Sequence, residues 1–151
     1  MRHILPVLLV SMLVLPQQTS LAQQVGTAAA VVPDAFDRTT ATPRRIELGD
    51  AIIRDQRIET DGAGMVQILL ADGSAFTVGP NSSLVIDSFV YDPDTDTATL
   101  AATASRGFLR FIGGAASKGE GGASITTPVG TAGIRGAIAD IVATPTGSMP
   151  P

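Results

Sequence analysis

Met65-Val66-Gln67-Ile68-Leu69-Leu70-Ala71-Asp72-Gly73-Ser74-Ala75-Phe76-Thr77-Val78 is the stretch that decides the fold. Val66, Ile68 and Leu70 alternate with Met65, Gln67 and Leu69, which is the period of a strand with one face buried. Asp72-Gly73 follows, and then a second short run, Ser74 to Val78. Two such runs joined by Asp-Gly predict a β-hairpin whose two turn residues both take positive φ.

The same grammar extends downstream. Gly79-Pro80-Asn81-Ser82 reads as the next turn. Ser83 to Tyr91 alternates again, with Leu84, Ile86 and Val90 expected on one face and Asp87 on the other. Asp92-Pro93-Asp94-Thr95-Asp96 is a polar turn. Thr97 to Ser105 and Gly107 to Ile112 read as two strands. Gly113 to Gly122 is glycine-rich and expected to be mobile. Ser124 to Thr127 and Ala137 to Ala143 complete the set. Punctuation every eight to twelve residues or so marks an all-β domain. Its expected extent is residues 46–143. Residues 23–45 lack a clear period and are read as a flexible N-terminal arm, and residues 144–151 as a disordered tail.

The first 22 residues have a different character. Arg2 precedes an apolar run from Ile4 to Leu15, and Ser20-Leu21-Ala22 supplies small residues before Gln23. This is the three-part pattern of a secretory signal, with cleavage expected after Ala22. The run is shorter than the roughly 20 residues of a membrane span, so no stable span is expected after cleavage. The product is expected in the periplasm or outside the cell.

Composition then narrows the chemistry. The chain has 10 Lys and Arg against 14 Asp and Glu, a formal charge of −4, and loses one further positive charge with Arg2. That balance argues against a nucleic-acid partner, which needs a basic footprint. There is no cysteine, and the single histidine, His3, lies in the leader. Ser-His-Asp and Cys-His sites are therefore excluded from the remainder, as are the common zinc and copper sets. No cofactor is expected.

Three minor chemical readings remain. Paired carboxylates could serve a hydrolase, although spacing alone shows no pair. Ser117-Lys118 places a serine beside the only lysine, but adjacent residues in a glycine-rich loop are not a preorganised dyad. Asp92-x-Asp94-x-Asp96 opens like a calcium loop, yet Thr97 and Thr103 stand where an EF-hand needs Gly and Glu. These three aspartates stay as a weak calcium candidate beside the plainer reading of an acidic turn. Arg106 and Arg110, four apart on a strand, could share one surface.

Five pieces in order resemble a FecR domain. Leu48-Gly49-Asp50 with Ile58-Glu59-Thr60-Asp61-Gly62 and Val66 to Ser74 resemble its opening, including Asp72 and Gly73. Pro80-Asn81-Ser82-Ser83-Leu84 is similar to its turn-and-strand motif, and Gly107-Phe108-Leu109-Arg110-Phe111 to its middle strand. Thr126-Thr127-Pro128-Val129-Gly130-Thr131-Ala132-Gly133-Ile134-Arg135-Gly136 resembles its closing signature, although Ala137 stands where the family often has Thr.

The resemblance implies short antiparallel strands in a twisted solenoid-like or β-roll arrangement, and a periplasmic setting. Its iron-transport members sense a loaded outer-membrane receptor and relay this to a sigma factor through an anti-sigma segment and a membrane helix. Here a signal peptide stands in their place, so a stand-alone FecR-domain protein is expected. Its expected role is non-catalytic: a protein-interaction or sensing module for an envelope protein partner. The alternative is a structural envelope scaffold. Gly49, Asp50, Asp72, Gly73, Asn81, Ser82, Thr127, Pro128, Gly130, Thr131, Arg135 and Gly136 are expected to be structural positions of the motif.

Overall fold

The computed structural model describes residues 23–119 and 121–145. The expected signal peptide, and the part of the tail from 146 onward, lie outside these residues. Twelve strands run in chain order: β1 (Gln24–Val32), β2 (Ala35–Asp37), β3 (Arg44–Arg45), β4 (Ala51–Ile53), β5 (Arg57–Thr60), β6 (Met65–Leu70), β7 (Ala75–Val78), β8 (Ser83–Asp92), β9 (Thr97–Ile112), β10 (Ala123–Thr127), β11 (Gly130–Ile134) and β12 (Ile138–Ala143). They join in the order β3-β2-β5-β8-β9-β7-β6-β1-β4. β10 with β11, and β12, attach along the remaining edge of β9. The fold is all-β, a sheet curled into a half-barrel around one core. One pair departs from the antiparallel expectation, since β10 runs parallel to β9.

The expected hairpin is β6–β7, with Ile68 opposite Phe76. Its turn differs from the two-residue type. Leu70 N–H donates to the Ser74 carbonyl at 2.8 Å, and Gly73 N–H to the Leu70 carbonyl at 3.1 Å. Gly73 has φ +85°, whereas Asp72 is not among the positive-φ residues. This is a three-residue loop closed by a left-handed glycine, the other common hairpin solution.

Residues 23–45 are not a flexible arm. β1 lies between β4 and β6, pairing Gly26 with Leu70 and Val31 with Val66. Val25, Ala28 and Ala35 are buried. The period is hidden because register shifts fall at Gln24/Gly26 and Ala28/Ala30, each of which moves the buried face by one residue. The β domain therefore begins at Gln24 rather than at residue 46.

A bulge also corrects the reading of β8. The register shifts between Ile86 and Ser88, so Phe89 turns inward (4 % exposed) and Val90 outward (63 %). β9 corrects another: Thr97 to Ile112 is one strand, with Gly107 at φ +87° inside it. Its first half pairs with β8 and β10, its second with β7 and β12. β11 ends at Ile134, level with Leu100 through β10, and β12 starts at Ile138, opposite Ile112. Four Cα steps reach about 14 Å, whereas Leu100 and Ile112 in a straight strand would stand about 40 Å apart. β9 must turn a corner, and Gly107 is where it does so. The curl encloses Ile52, Ile58, Ile68, Leu84, Leu109 and Ile125. Phe76 and Phe111 pack with ring centroids 5.0 Å apart.

The start of the glycine-rich stretch after β9 is anchored. Ala115–Ser117 forms a 3₁₀ turn whose three residues are buried. The Asp72 carboxylate accepts from the N–H groups of Ala116 and Ser74, both at 2.9 Å, and from Ser74 Oγ at 2.8 Å. Ser74 Oγ in turn accepts Gly114 N–H at 2.9 Å. Removing a partner from a buried network leaves its donors unsatisfied, at about 1–3 kcal/mol each. Asp72→Ala is therefore expected to destabilise by about 2–4 kcal/mol in urea unfolding. A change under about 0.5 kcal/mol would show that the carboxylate does not hold this turn.

Candidate interaction surface

The motif residues sort into supports rather than reactive groups. Gly49 N–H donates to the Ala28 carbonyl at 2.8 Å, and Ala28 N–H to the Asp50 carbonyl at 2.9 Å, docking the β3–β4 turn on β1. The Asp50 carboxylate accepts from Glu47 N–H at 3.0 Å and Arg44 at 2.9 Å. Asn81 and Ser82 sit against the corner of β9. Ser82 Oγ accepts the N–H of Phe108 at 2.9 Å, and Ser82 N–H donates to Thr60 Oγ1 at 3.0 Å. Thr60 Oγ1 donates to the Gly79 carbonyl, so three motif pieces meet at one buried hub. Thr127, Pro128, Gly130 and Thr131 form the β10–β11 hairpin, with Thr127 opposite Gly130 and Thr127 Oγ1 donating to the Gly130 carbonyl at 3.0 Å. Arg135 and Gly136 are exposed in the link to β12.

The reactive candidates disperse. Ser117 Oγ donates to the Gly114 carbonyl at 3.0 Å, while Lys118 pairs with Asp96 at 2.6 Å. No dyad forms. Asp96 is thus committed to Lys118 and also accepts from Tyr91, and Asp92 accepts Asp94 N–H at 2.9 Å. Asp92, Asp94 and Asp96 do not converge in this arrangement: among the described residues no three acidic side chains are grouped so that they could hold a metal ion. Millimolar calcium, or a chelator, is expected to leave the melting temperature unchanged. A shift of several degrees with either would restore these aspartates as ligands.

Arg106 and Arg110 do not share a surface either, because the Gly107 corner separates them. Arg106 joins Arg38 around Glu59, at 3.6 and 3.3 Å, and Arg38 also reaches Asp61 at 3.3 Å. That cluster pairs its charges internally. A cleft of about 500 Å³ beside β1 is lined by Gln24 to Thr27 and Leu69 to Ala71, and no titratable side chain lines it.

What stands out is the opposite margin of the sheet. β12 pairs with β9 on one side, and among the described residues no strand covers its other side. Ala139 and Ile141 face inward, while Ile138 (63 % exposed) and Val142 (72 %) face out. Ile138 lies opposite Ile112, Val142 opposite Phe108, and Asp140 opposite Arg110. Ile112 and Phe108 are more than a third exposed. The Arg110 guanidinium grips Asp140 with two bonds, at 2.7 and 2.9 Å. Two exposed apolar rows therefore flank one fork-shaped ion pair on a free strand edge. The alternation Ile138, Asp140, Val142 is plain in the sequence. The pairing that leaves that side outermost is not, because it joins segments some 30 residues apart.

The ion pairs give the fold a pH signature. Hydrogen bonding from Arg110, and its charge, hold the Asp140 carboxyl below its usual range. Lys118 does the same for Asp96, and Glu47 N–H with Arg44 for Asp50. Burial pulls Asp37 upward, but hydrogen bonds from Thr39 and Gln56 outweigh it and leave the carboxyl lowered. A lowered folded-state pKa adds stability above the ordinary carboxylate pKa of about 4, and that stability is lost as pH falls through the lowered value. The melting temperature is expected to stay level from pH 5 to 8 and to fall below about pH 4. A rise on acidification would contradict these pairings.

No helix among the described residues is long and apolar enough to cross a membrane. No curated protein and no solved structure matches the chain. The family model described as FecR protein does match, over residues 56–148. It takes in β5 to β12, with the Thr60–Ser82–Phe108 hub, the β9 corner and the free edge, and leaves β1 to β4 outside the matched stretch. On this match the chain belongs to the FecR family, a family of regulatory signal-transduction domains rather than of enzymes.

Proposed function

We propose that this protein is a non-catalytic regulatory module of the bacterial envelope, exported by its leader, that works by binding a protein partner along β12. The observation that carries this reading is the free β12 edge with Ile138, Val142, Phe108 and Ile112 exposed beside it. Natural sheets blunt their edges with short strands, charge or proline, and glycine weakens a strand from within. β3 is two exposed arginines, β4 is three residues followed by Arg54, and β11 contains Gly130 and Gly133. β12 is six residues long, has no Lys, Arg, Gly or Pro, and carries one charge, Asp140, which Arg110 already pairs. Such an edge can accept another strand, with backbone bonds supplying affinity and the flanking side chains specificity.

The test is in-cell crosslinking of the tagged full-length chain beside its Val142→Lys variant, with the recovered N-terminus read by mass spectrometry. The expected result is bait starting at Gln23, one saturable envelope protein crosslinked to it, and loss of that crosslink in the variant. Capture that is equal in both would remove β12 from the role. Bait retaining Met1 would remove the export.

A further inference from the structure

We infer that the strand received along the outer side of β12 is an extended segment of a different protein that carries an arginine or lysine at its centre, opposite Asp140, with apolar residues on both sides of it. This deepens the interaction reading above and rests on it.

The backbone fixes which residues meet the incoming strand. Gly113 N–H donates to the Ala137 carbonyl at 2.8 Å, and the register continues with Phe111 opposite Ala139 and Leu109 opposite Ile141. Hydrogen-bonded and non-bonded pairs alternate along an antiparallel ladder. The odd-numbered residues of β12 therefore spend their backbone groups on β9, and those of Ile138, Asp140 and Val142 point to the outer side. The side chains of these three also stand on the exposed face. An incoming strand thus meets apolar, acidic and apolar side chains in turn. On the other face it meets Ala139 and Ile141. Both are only half-buried, whereas Leu109 and Phe111 beside them in β9 are fully buried. The core is open along this margin, and apolar residues of the incoming strand would close it.

The inner side of β12 shows what chemistry fits this pattern. β9 reads Phe108-Leu109-Arg110-Phe111-Ile112 where it pairs with β12. Four apolar residues surround one arginine, and that arginine takes Asp140 through bonds of 2.7 and 2.9 Å. The outer side offers the same three side chains. The Asp140 side chain is about half exposed, and a carboxylate has about four acceptor sites, so it can hold a second cation beside Arg110. A cation opposite Asp140 would lie one strand spacing from it, about 5 Å, and two spacings from Arg110, about 10 Å. Attraction to the near charge exceeds repulsion from the far one. An acidic residue in that place, including the Asp140 of another copy, would face the reverse balance. Five paired residues make a small contact beside a standard interface of about 1,600 Å², so the binding is weak and reversible.

The probe is a fluorescein-labelled peptide, Ser-Thr-Val-Val-Arg-Val-Val-Thr-Ser, whose sequence reads the same in both directions. Its central residue is also made as Gln and as Glu. Fluorescence anisotropy is measured against the processed full-length chain and its Val142→Lys and Asp140→Asn variants. The expected order of affinity on wild type is Arg, then Gln, then Glu, with the Arg peptide at least about three-fold tighter than the Gln peptide. Val142→Lys is expected to lose the Arg peptide, and Asp140→Asn to bind the Arg and Gln peptides alike. The comparison of three peptides on wild type needs no variant, so it decides the matter even where circular dichroism shows a variant misfolded.

Equal binding of the three peptides, tightest binding of the Glu peptide, no binding of the Arg peptide up to about 1 mM, or undiminished binding to a folded Val142→Lys overturns the inference. A wild-type mass that doubles with concentration in light scattering, while Val142→Lys stays at one chain, gives the edge to a second copy and also overturns it. The Val142→Lys crosslinking comparison then decides the broader reading by itself. If that variant still loses an envelope protein, the edge serves a partner of other chemistry. If it loses nothing, both readings fail.

Discussion

Gly107→Val is expected to abolish the cooperative unfolding transition. Two independent costs fall on this one residue. Its φ is +87°, a region that a β-branched side chain essentially never occupies. A Cβ there would also lie 2.6 Å from the Asn81 carbonyl oxygen and 2.6 Å from Ser82 Cα. Neither neighbour can retreat, because Ser82 is held by Thr60 and by Phe108. The corner of β9 would have to open, which separates the strands on its two halves. We expect a loss of more than about 4 kcal/mol, the range reserved for named core or backbone failures. Gly133→Ala is the control. Its Cβ would meet nothing within 4 Å and its φ is not positive, so it should change stability by no more than about 0.5 kcal/mol. Thermal and urea unfolding by circular dichroism measure both. A Gly107→Val protein that melts like wild type would mean that β9 is not cornered there.

Deleting residues 24–32 is expected to be as damaging, although all nine lie outside the matched family stretch. The deletion removes β1 from between β6 and β4. It strips the outer bonds from β6, leaves β4 without its partner, and takes Val25 and Ala28 from the core. It also removes the Ala28 carbonyl on which the Gly49 turn rests. Among the described residues no other strand pairs with that edge of β6. The expected product shows no sharp thermal transition and aggregates through the opened edge. A shift of only one or two degrees would instead describe an arm that merely lies on the surface.

The contrast between these two regions shows where the sequence is readable. β6 and β7 alternate without interruption, so alternation alone assigns Val66, Ile68, Leu70, Phe76 and Val78 to the core, and all five are buried. β1 belongs to the same sheet, yet two register shifts and small alanines erase its period. In β8 a single bulge exchanges Phe89 for Val90 as the buried residue. Periodicity reports burial only while register is constant, and a bulge inserts an extra residue that shifts the alternation beyond it. The interaction surface is less legible still. Arg106 and Arg110 read as one pair in the sequence, and become two sites because the chain turns between them. Ser117 and Lys118 are adjacent in the chain, and point to Gly114 and Asp96.

By itself, the sequence determined the all-β class, the β6–β7 hairpin, the family motif and the absence of histidine and cysteine from every residue after the leader pattern. These follow from composition and from interactions within a few residues. Only the tertiary structure decided that β1 is integral, that β9 bends at Gly107, that Asp72 anchors the turn at Ala115–Ser117, and that no other described strand covers the outer side of β12. Each of these depends on which distant segments lie side by side, and hydrogen bonding between strands fixes that only when the whole sheet has closed around its core.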